Sequence, residues 1–157
     1  SSDLVVDGVS IPVIAAGGIA DGRGMAATFM LGAEGIQIGT RFLVAEECQI
    51  HENYKEMVLK AKDTDSIVTG RFTGHPCRGV KTKFAKGLLT FEKDGGTPEE
   101  FEEKTLGSLR KAVQDGDIDE GTFLAGAISG LVHERMTCKA IVDEIIGDAR
   151  RLLKITD

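Results

Sequence analysis

An α/β fold with parallel strands is predicted for this chain from three features. Pro12–Ala16 (PVIAA) is a short apolar run holding β-branched residues, with Pro before it and Gly-Gly after it. Gly35–Ile38 (GIQI) is a second run of the same kind. A helical pattern separates the two. Short apolar runs bounded by turn residues read as buried strands, and strand, helix, strand in this order is a βαβ unit with parallel strands.

The intervening helix is predicted from Gly22 to Leu31. Asp21 is its cap, and Met25, Phe29 and Met30 are spaced to face a core. Gly32 stands where helices commonly end. Beyond Phe42, Glu52–Lys62 reads as a helix and Ser66–Gly70 as a strand. The following stretch, TGHPCRGVKTKFAKGLLTFEKDGG, reads as a loop, basic in its first half. Thr97-Pro98-Glu99-Glu100 is a strong helix start, with a hydroxyl cap, proline in the first turn and glutamate three residues after the cap. That helix is predicted to run to Val113. GDIDEG (116 to 121) reads as a turn, and AGAISG supplies small residues for close packing. Thr137 caps a last helix in which Ile141, Ile145, Ala149 and Leu152 or Leu153 recur at helical spacing.

Composition bounds the function. Hydrophobic residues make up 41% and charged residues 28%, ordinary for a globular domain. The net charge of -6 argues against nucleic acid or an anionic membrane as a general partner. No apolar run is long enough for a spanning helix, and the amino terminus lacks the pattern of a signal peptide. Cys48, Cys77 and Cys138 are far apart with no C-x-x-C pair, so no metal or redox motif is predicted. Reduced structural thiols in a cytoplasmic setting are expected.

Glycine is concentrated in the two turns after the strands, Gly17-Gly18 and Gly39-Thr40. In α/β proteins ligands bind at the carboxyl ends of parallel strands. Glycine there lets backbone N–H groups approach an anion with no side chain between. A helix N-terminus beside the first turn adds positive potential; Thr40 adds a hydroxyl and Arg41 a charge. Together these read as a phosphate cradle. Tight βα turns alone also favour glycine, but two such turns on neighbouring strands weigh toward the cradle. A rival pattern, Gly22-x-Gly24-x-x-Ala27, matches a dinucleotide fingerprint. Its context is wrong: the first strand ends some way before it, and the second strand carries Gln37 where an acidic residue is needed for a ribose.

The stretch PVIAAGGIADGRGMAATFMLGAEGIQIGTRF resembles the carboxyl-terminal barrel segment of the nitronate monooxygenase (2-nitropropane dioxygenase) family. FLVAEECQIHENYKEMVLKAKDTD, TGHPCRGVKTKFAKGLL and GDIDEGTFLAGAISGLVHERMTCKAIVDEII resemble its FMN-dependent enoyl-[acyl carrier protein] reductase II branch. The resemblance implies the carboxyl-terminal portion of an FMN-binding (β/α)8 TIM barrel with a mid-chain insertion and closing helices. It implies three segments: 1–50 with the last two barrel strands and the phosphate-binding turns, 51–115 as an insertion outside the barrel, and 116–157 as helices closing on the barrel. Gly17, Gly18, Gly39 and Thr40, with Gln37 close by, would hold the FMN phosphate.

The implied activity is reduction of an enoyl-[acyl carrier protein] double bond in fatty-acid biosynthesis, with NADH or NADPH as reductant. Oxidation of alkyl nitronates is the alternative, and a catalytically inert truncated chain the third. The family's catalytic histidine, in a Gly-Gly-His setting, is expected to precede residue 1, so no catalytic residue is assigned here. Ala125-Gly126-Ala127 stands where the family often has Ala-Gly-Gln. A homo-oligomer, or association with an amino-terminal half, is expected.

Other reactive side chains read as structural. His51 beside Glu52 and His133 beside Glu134 read as capping or surface residues. His75 would sit in the segment bordering the substrate entrance. Cys77 next to Arg78 has a cationic neighbour that favours thiolate, but no base is placed to use it. Arg78, Lys81, Lys83 and Lys86 form a basic cluster, read as a solvated loop or as a surface meeting nicotinamide phosphates or an acidic carrier protein.

Overall fold

Strands β1 (Ile14–Ala16) and β2 (Gly35–Gln37) pair in parallel, Ile14 opposite Gly35 and Ala16 opposite Gln37, in the computed structural model, which describes residues 2–155. The chain divides into two compact units, Ser1–Glu47 with Arg135–Asp157, and Cys48–Glu134. Residues 116–134 thus belong with the second unit and 135–155 with the first. The outermost positions of the expected segments, 1 and 156–157, lie outside the described residues.

In the first unit, helix α1 (Ser2–Gly8), unforeseen in the sequence, precedes β1. Helix α2 (Gly22–Met30) joins the two strands, and its cap is the one expected: Asp21 accepts from the Gly24 amide at 3.0 Å. A four-residue helix, α3 (Thr40–Leu43), follows β2. One face of the pair packs Ala15 with Ile19, Ala33, Ile36 and Ile38. The other face presents Ile14, Ala16 and Gln37 to solvent. At Gly35 an added Cβ would meet only the tip of the exposed Ile14 side chain, its Cδ1 2.8 Å away.

The closing helix of this unit, α8 (Cys138–Leu153), begins at Thr137, whose hydroxyl accepts from the Ala140 amide at 3.1 Å. Glu47 accepts from the Cys138 amide at 2.8 Å, placing an anion at the positive end of the helix. Ile141, Ile145 and Ala149 are buried as their spacing requires. Helix α2 packs on α8, and Gly22 is where the backbones meet: an added Cβ would stand 2.4 Å from the Cβ of Asp148 and 2.7 Å from the Ala149 nitrogen. Gly22 therefore serves helix packing, not a dinucleotide.

The second unit holds helix α4 (Glu52–Leu59), strands β3 (Ser66–Thr69) and β4 (Cys77–Val80), and helices α5 (Lys83–Lys93), α6 (Pro98–Thr105) and α7 (Ser108–Arg110). β3 and β4 are antiparallel, Ser66 opposite Val80. The stretch expected to be loop is therefore mostly regular. β4 forms through tertiary pairing: Val80 donates to the Phe123 carbonyl and Ala125 to that of Arg78. α5 has its own cap, Thr82 accepting from the Ala85 amide at 3.0 Å. The reciprocal cap of α6 forms as expected between Thr97 and Glu100. That helix stops at Thr105, short of Val113, because Gly107 takes a φ of 74°; a π turn (Lys111–Asp115) follows α7. The core gathers Val58, Phe101, Phe123 and Tyr54, whose ring lies 4.9 Å from that of Phe123 and whose hydroxyl donates to the Leu124 carbonyl at 2.7 Å.

Helices and small sheets match the α/β expectation. Among the described residues, however, no barrel closes: the strands form one parallel and one antiparallel pair. A (β/α)8 barrel needs eight strands in one continuous ring.

Candidate cofactor-binding site

β1 leads straight into two consecutive left-handed residues, Gly17 (φ 85°) and Gly18 (φ 74°). For any residue with a Cβ this conformation costs about 1–2 kcal/mol, so glycine is required here by the backbone itself. Ile19 and Ala20 then turn inward and are buried. At the end of the neighbouring strand, Gly39 has a φ of -110°, which any residue can adopt. A Cβ added at Gly17, Gly18 or Gly39 would meet no protein atom within 4 Å. The register of β1 with β2 sets the two turns side by side at one end of the parallel pair.

The five residues expected at the cradle fall as follows. Gly17, Gly18, Gly39 and Thr40 all lie at the carboxyl ends of the paired strands. Gln37 lies on β2 opposite Ala16, on the exposed face. At the three glycines the turns are bare of side chains and face open space. That shape suits a phosphate held by backbone N–H groups, and in this respect the residues present fit FMN.

Two expected sources of charge are diverted. Arg41 is buried at 5% exposure and turned to α8, donating to the Met136 sulfur at 2.9 Å and lying 3.7 Å from Glu144. The positive end of α2 is already met by Asp21. Partial burial opposes ionisation of that carboxyl, but the Gly24 amide and Arg23 outweigh it and hold its pKa below the ordinary value. Arg23 pairs with Asp21 at 2.6 Å. Neither charge is therefore turned to the two glycine turns, which offer neutral backbone groups.

The remaining candidates separate. His51 caps α4, its Nδ1 accepting from the Asn53 amide at 3.1 Å. His133 is exposed. His75 and Cys77 are exposed, and the Cys77 thiol points at the His75 carbonyl, not at its imidazole. All three cysteines are free thiols, and none is fully buried.

The sequence profile of the family described as "Nitronate monooxygenase" matches residues 2–148. A probable nitronate monooxygenase of Staphylococcus saprophyticus is 34% identical over 150 residues, covering 95% of this chain and 42% of that protein. Its counterpart in Staphylococcus aureus strain MSSA476 is 35% identical over 151 residues, covering 96% and 42%. The chain thus spans less than half the length of these curated relatives. Among solved structures, FabK from Thermotoga maritima superposes with a TM-score of 0.93 at 44% identity, over 98% of this chain and 49% of that one. A nitroalkane oxidase from Streptomyces ansochromogenes shares the fold, with a TM-score of 0.79 at 24% identity, over 98% and 43%.

Proposed function

This chain belongs to the nitronate monooxygenase family, and from that premise we propose that its first unit anchors the phosphate of FMN in a flavin-dependent oxidoreductase acting on enoyl-[acyl carrier protein] thioesters. The observation that carries the reading is the pair of adjacent turns, Gly17-Gly18 and Gly39-Thr40, free of side chains at the three glycines and open at the carboxyl ends of parallel strands. The reductase branch is favoured by the 44% identity to FabK from Thermotoga maritima over 98% of this chain; the staphylococcal relatives reach 34–35% over nearly the whole chain and 41% over 110 residues.

When bound, FMN would supply the redox chemistry that links NADH or NADPH to the double bond. The part of this chain is binding and orientation. Backbone N–H groups at Gly18, Gly39 and Thr40 would donate to phosphate oxygens. Gln37 would offer its amide from the exposed face of β2. His51 is engaged as a helix cap, and no general acid or base is assigned to this chain.

A second reading, oxidation of alkyl nitronates, is favoured by the name of the matching family and of the staphylococcal relatives. Fluorescence titration of the chain with FMN, with riboflavin as the phosphate-free control, tests the anchor. Saturable binding of FMN in preference to riboflavin is expected; equal affinities would remove the cradle. With flavin bound, enoyl-thioester-dependent oxidation of NADH or NADPH against nitronate-dependent oxygen uptake separates the two substrates.

A further inference from the structure

Helix α5 carries a glycine that the protein itself does not explain. Gly87 sits in mid-helix, where glycine is the poorest choice after proline. Its φ is not positive, and a Cβ there would meet nothing within 4 Å. Neither backbone conformation nor packing asks for it. Gly87 does line a cleft of about 780 Å3 built by the second unit alone, a volume within the range of small-molecule sites.

The α5 side of the cleft is apolar, and lysines stand among the rest of its lining. Phe84, Leu88 and Phe91 follow one another along α5, and Leu106 faces the cleft beyond the end of α6. Lys83 stands at the start of α5. Lys104 holds its ammonium 5.0 Å from the centre of the Phe91 ring. From Lys83 to Phe91 the helix rises about 12 Å. The other charged groups of the lining are Lys111, Asp119 and Glu120; Lys111 and Glu120 pair with each other. Lys83 and Lys104 then face one carboxylate, Asp119, which leaves the cleft with one net positive charge.

We propose that this cleft binds an elongated amphipathic anion, its apolar body lying over Gly87 between Phe84, Leu88 and Phe91 and its anionic end paired with Lys83 or Lys104. The glycine leaves the room the body needs, and the lysines select the sign of the head group. The proposal stands on the second unit and does not rest on the flavin reading.

Decanoate, a chain of comparable extended length, is the probe, with decyltrimethylammonium as the control of opposite charge. Isothermal titration of the full chain should show saturable decanoate binding with a Kd below about 1 mM and no saturable binding of the ammonium. Gly87→Leu separates a site from general apolar adhesion. It should raise the thermal midpoint, since leucine is the better helix former, yet weaken decanoate at least about tenfold by filling the cleft. Lys83→Gln with Lys104→Gln should weaken it similarly, while Lys60→Gln, just past the end of α4 and outside the cleft lining, should leave it unchanged. Failure to saturate, equal binding of the ammonium compound, or wild-type affinity in Gly87→Leu would overturn the assignment.

Discussion

Gly18 and Gly39 can be told apart by substitution, because one is glycine for the backbone and both are bare toward the proposed ligand. At Gly18 the φ of 74° makes any Cβ costly. Gly18→Ala should therefore lower stability by about 1–2 kcal/mol with or without flavin. At Gly39 the φ of -110° carries no such penalty, and an added Cβ meets no protein atom. Gly39→Ala and Gly39→Val should fold with unchanged thermal midpoints. If the backbone here donates to the FMN phosphate, the added carbons occupy the approach. Losing one hydrogen bond to a charged group costs about 1.5–3 kcal/mol, which is roughly a ten- to hundredfold weaker Kd. Valine should do more harm than alanine. Fluorescence titration with FMN and with riboflavin reads the effect, and riboflavin should be nearly indifferent. FMN affinity in Gly39→Val equal to that of the parent chain would refute the reasoning, as would an equal loss for both flavins.

Three further outcomes are expected. Tyr54 is the chain's single tyrosine, so tyrosinate absorbance reports it alone. Burial pushes its pKa from 10.0 up to about 12. The folded state thus favours the protonated phenol, a stabilisation fully present below pH 10 and lost as pH rises towards 12. At about 1.4 kcal/mol per pKa unit the loss is roughly 2–3 kcal/mol. Tyr54→Phe should flatten that alkaline decline in thermal melts, while costing about 1 kcal/mol at neutral pH for the unpaired Leu124 carbonyl; an equally steep decline would count against it. Gly22→Ala should destabilise by about 1–3 kcal/mol through collision with α8, whereas Gly147→Ala, with open space around it, should stabilise by about 0.5–1 kcal/mol; denaturant midpoints of the pair should move in opposite directions. Thr97→Ala should cost about 1 kcal/mol by removing the α6 cap, measurable in the same way, and no change would mean that cap contributes nothing.

Much of the first unit is legible because its signals are local. Asp21 and Thr137 cap the helices that their side-chain chemistry predicts, and β1 and β2 pair in parallel as two short apolar runs around a helix require. The second unit is harder to read where its structure comes from distant partners. β4 has no alternation of its own; it is drawn out by Phe123 and Ala125, and Gly79 is needed because a Cβ would lie 2.6 Å from the Phe123 carbonyl oxygen. α5 carries a readable signal in Thr82, Phe84, Leu88 and Phe91, obscured by Gly87 and by the basic residues around it. At the cradle, the positions of Gly17, Gly18, Gln37, Gly39 and Thr40 follow from the strand ends. The direction of Arg41 does not, because Met136 and Glu144, which take up its guanidinium, lie about a hundred residues away in sequence.

That diversion of Arg41, together with the carboxylate already seated on α2, fixes how the cradle should respond to ionic strength. An anion held by lysines or arginines dissociates as salt rises, because its attraction is screened. In the proposed cradle the contacts would be short-range dipoles, and the long-range field comes from a chain of net charge -6. Salt at 0.1 M confines that field to about 10 Å, so it screens repulsion and not attraction. Raising the salt concentration should therefore leave phosphate affinity level or improve it, and should quicken association with no matching change in dissociation.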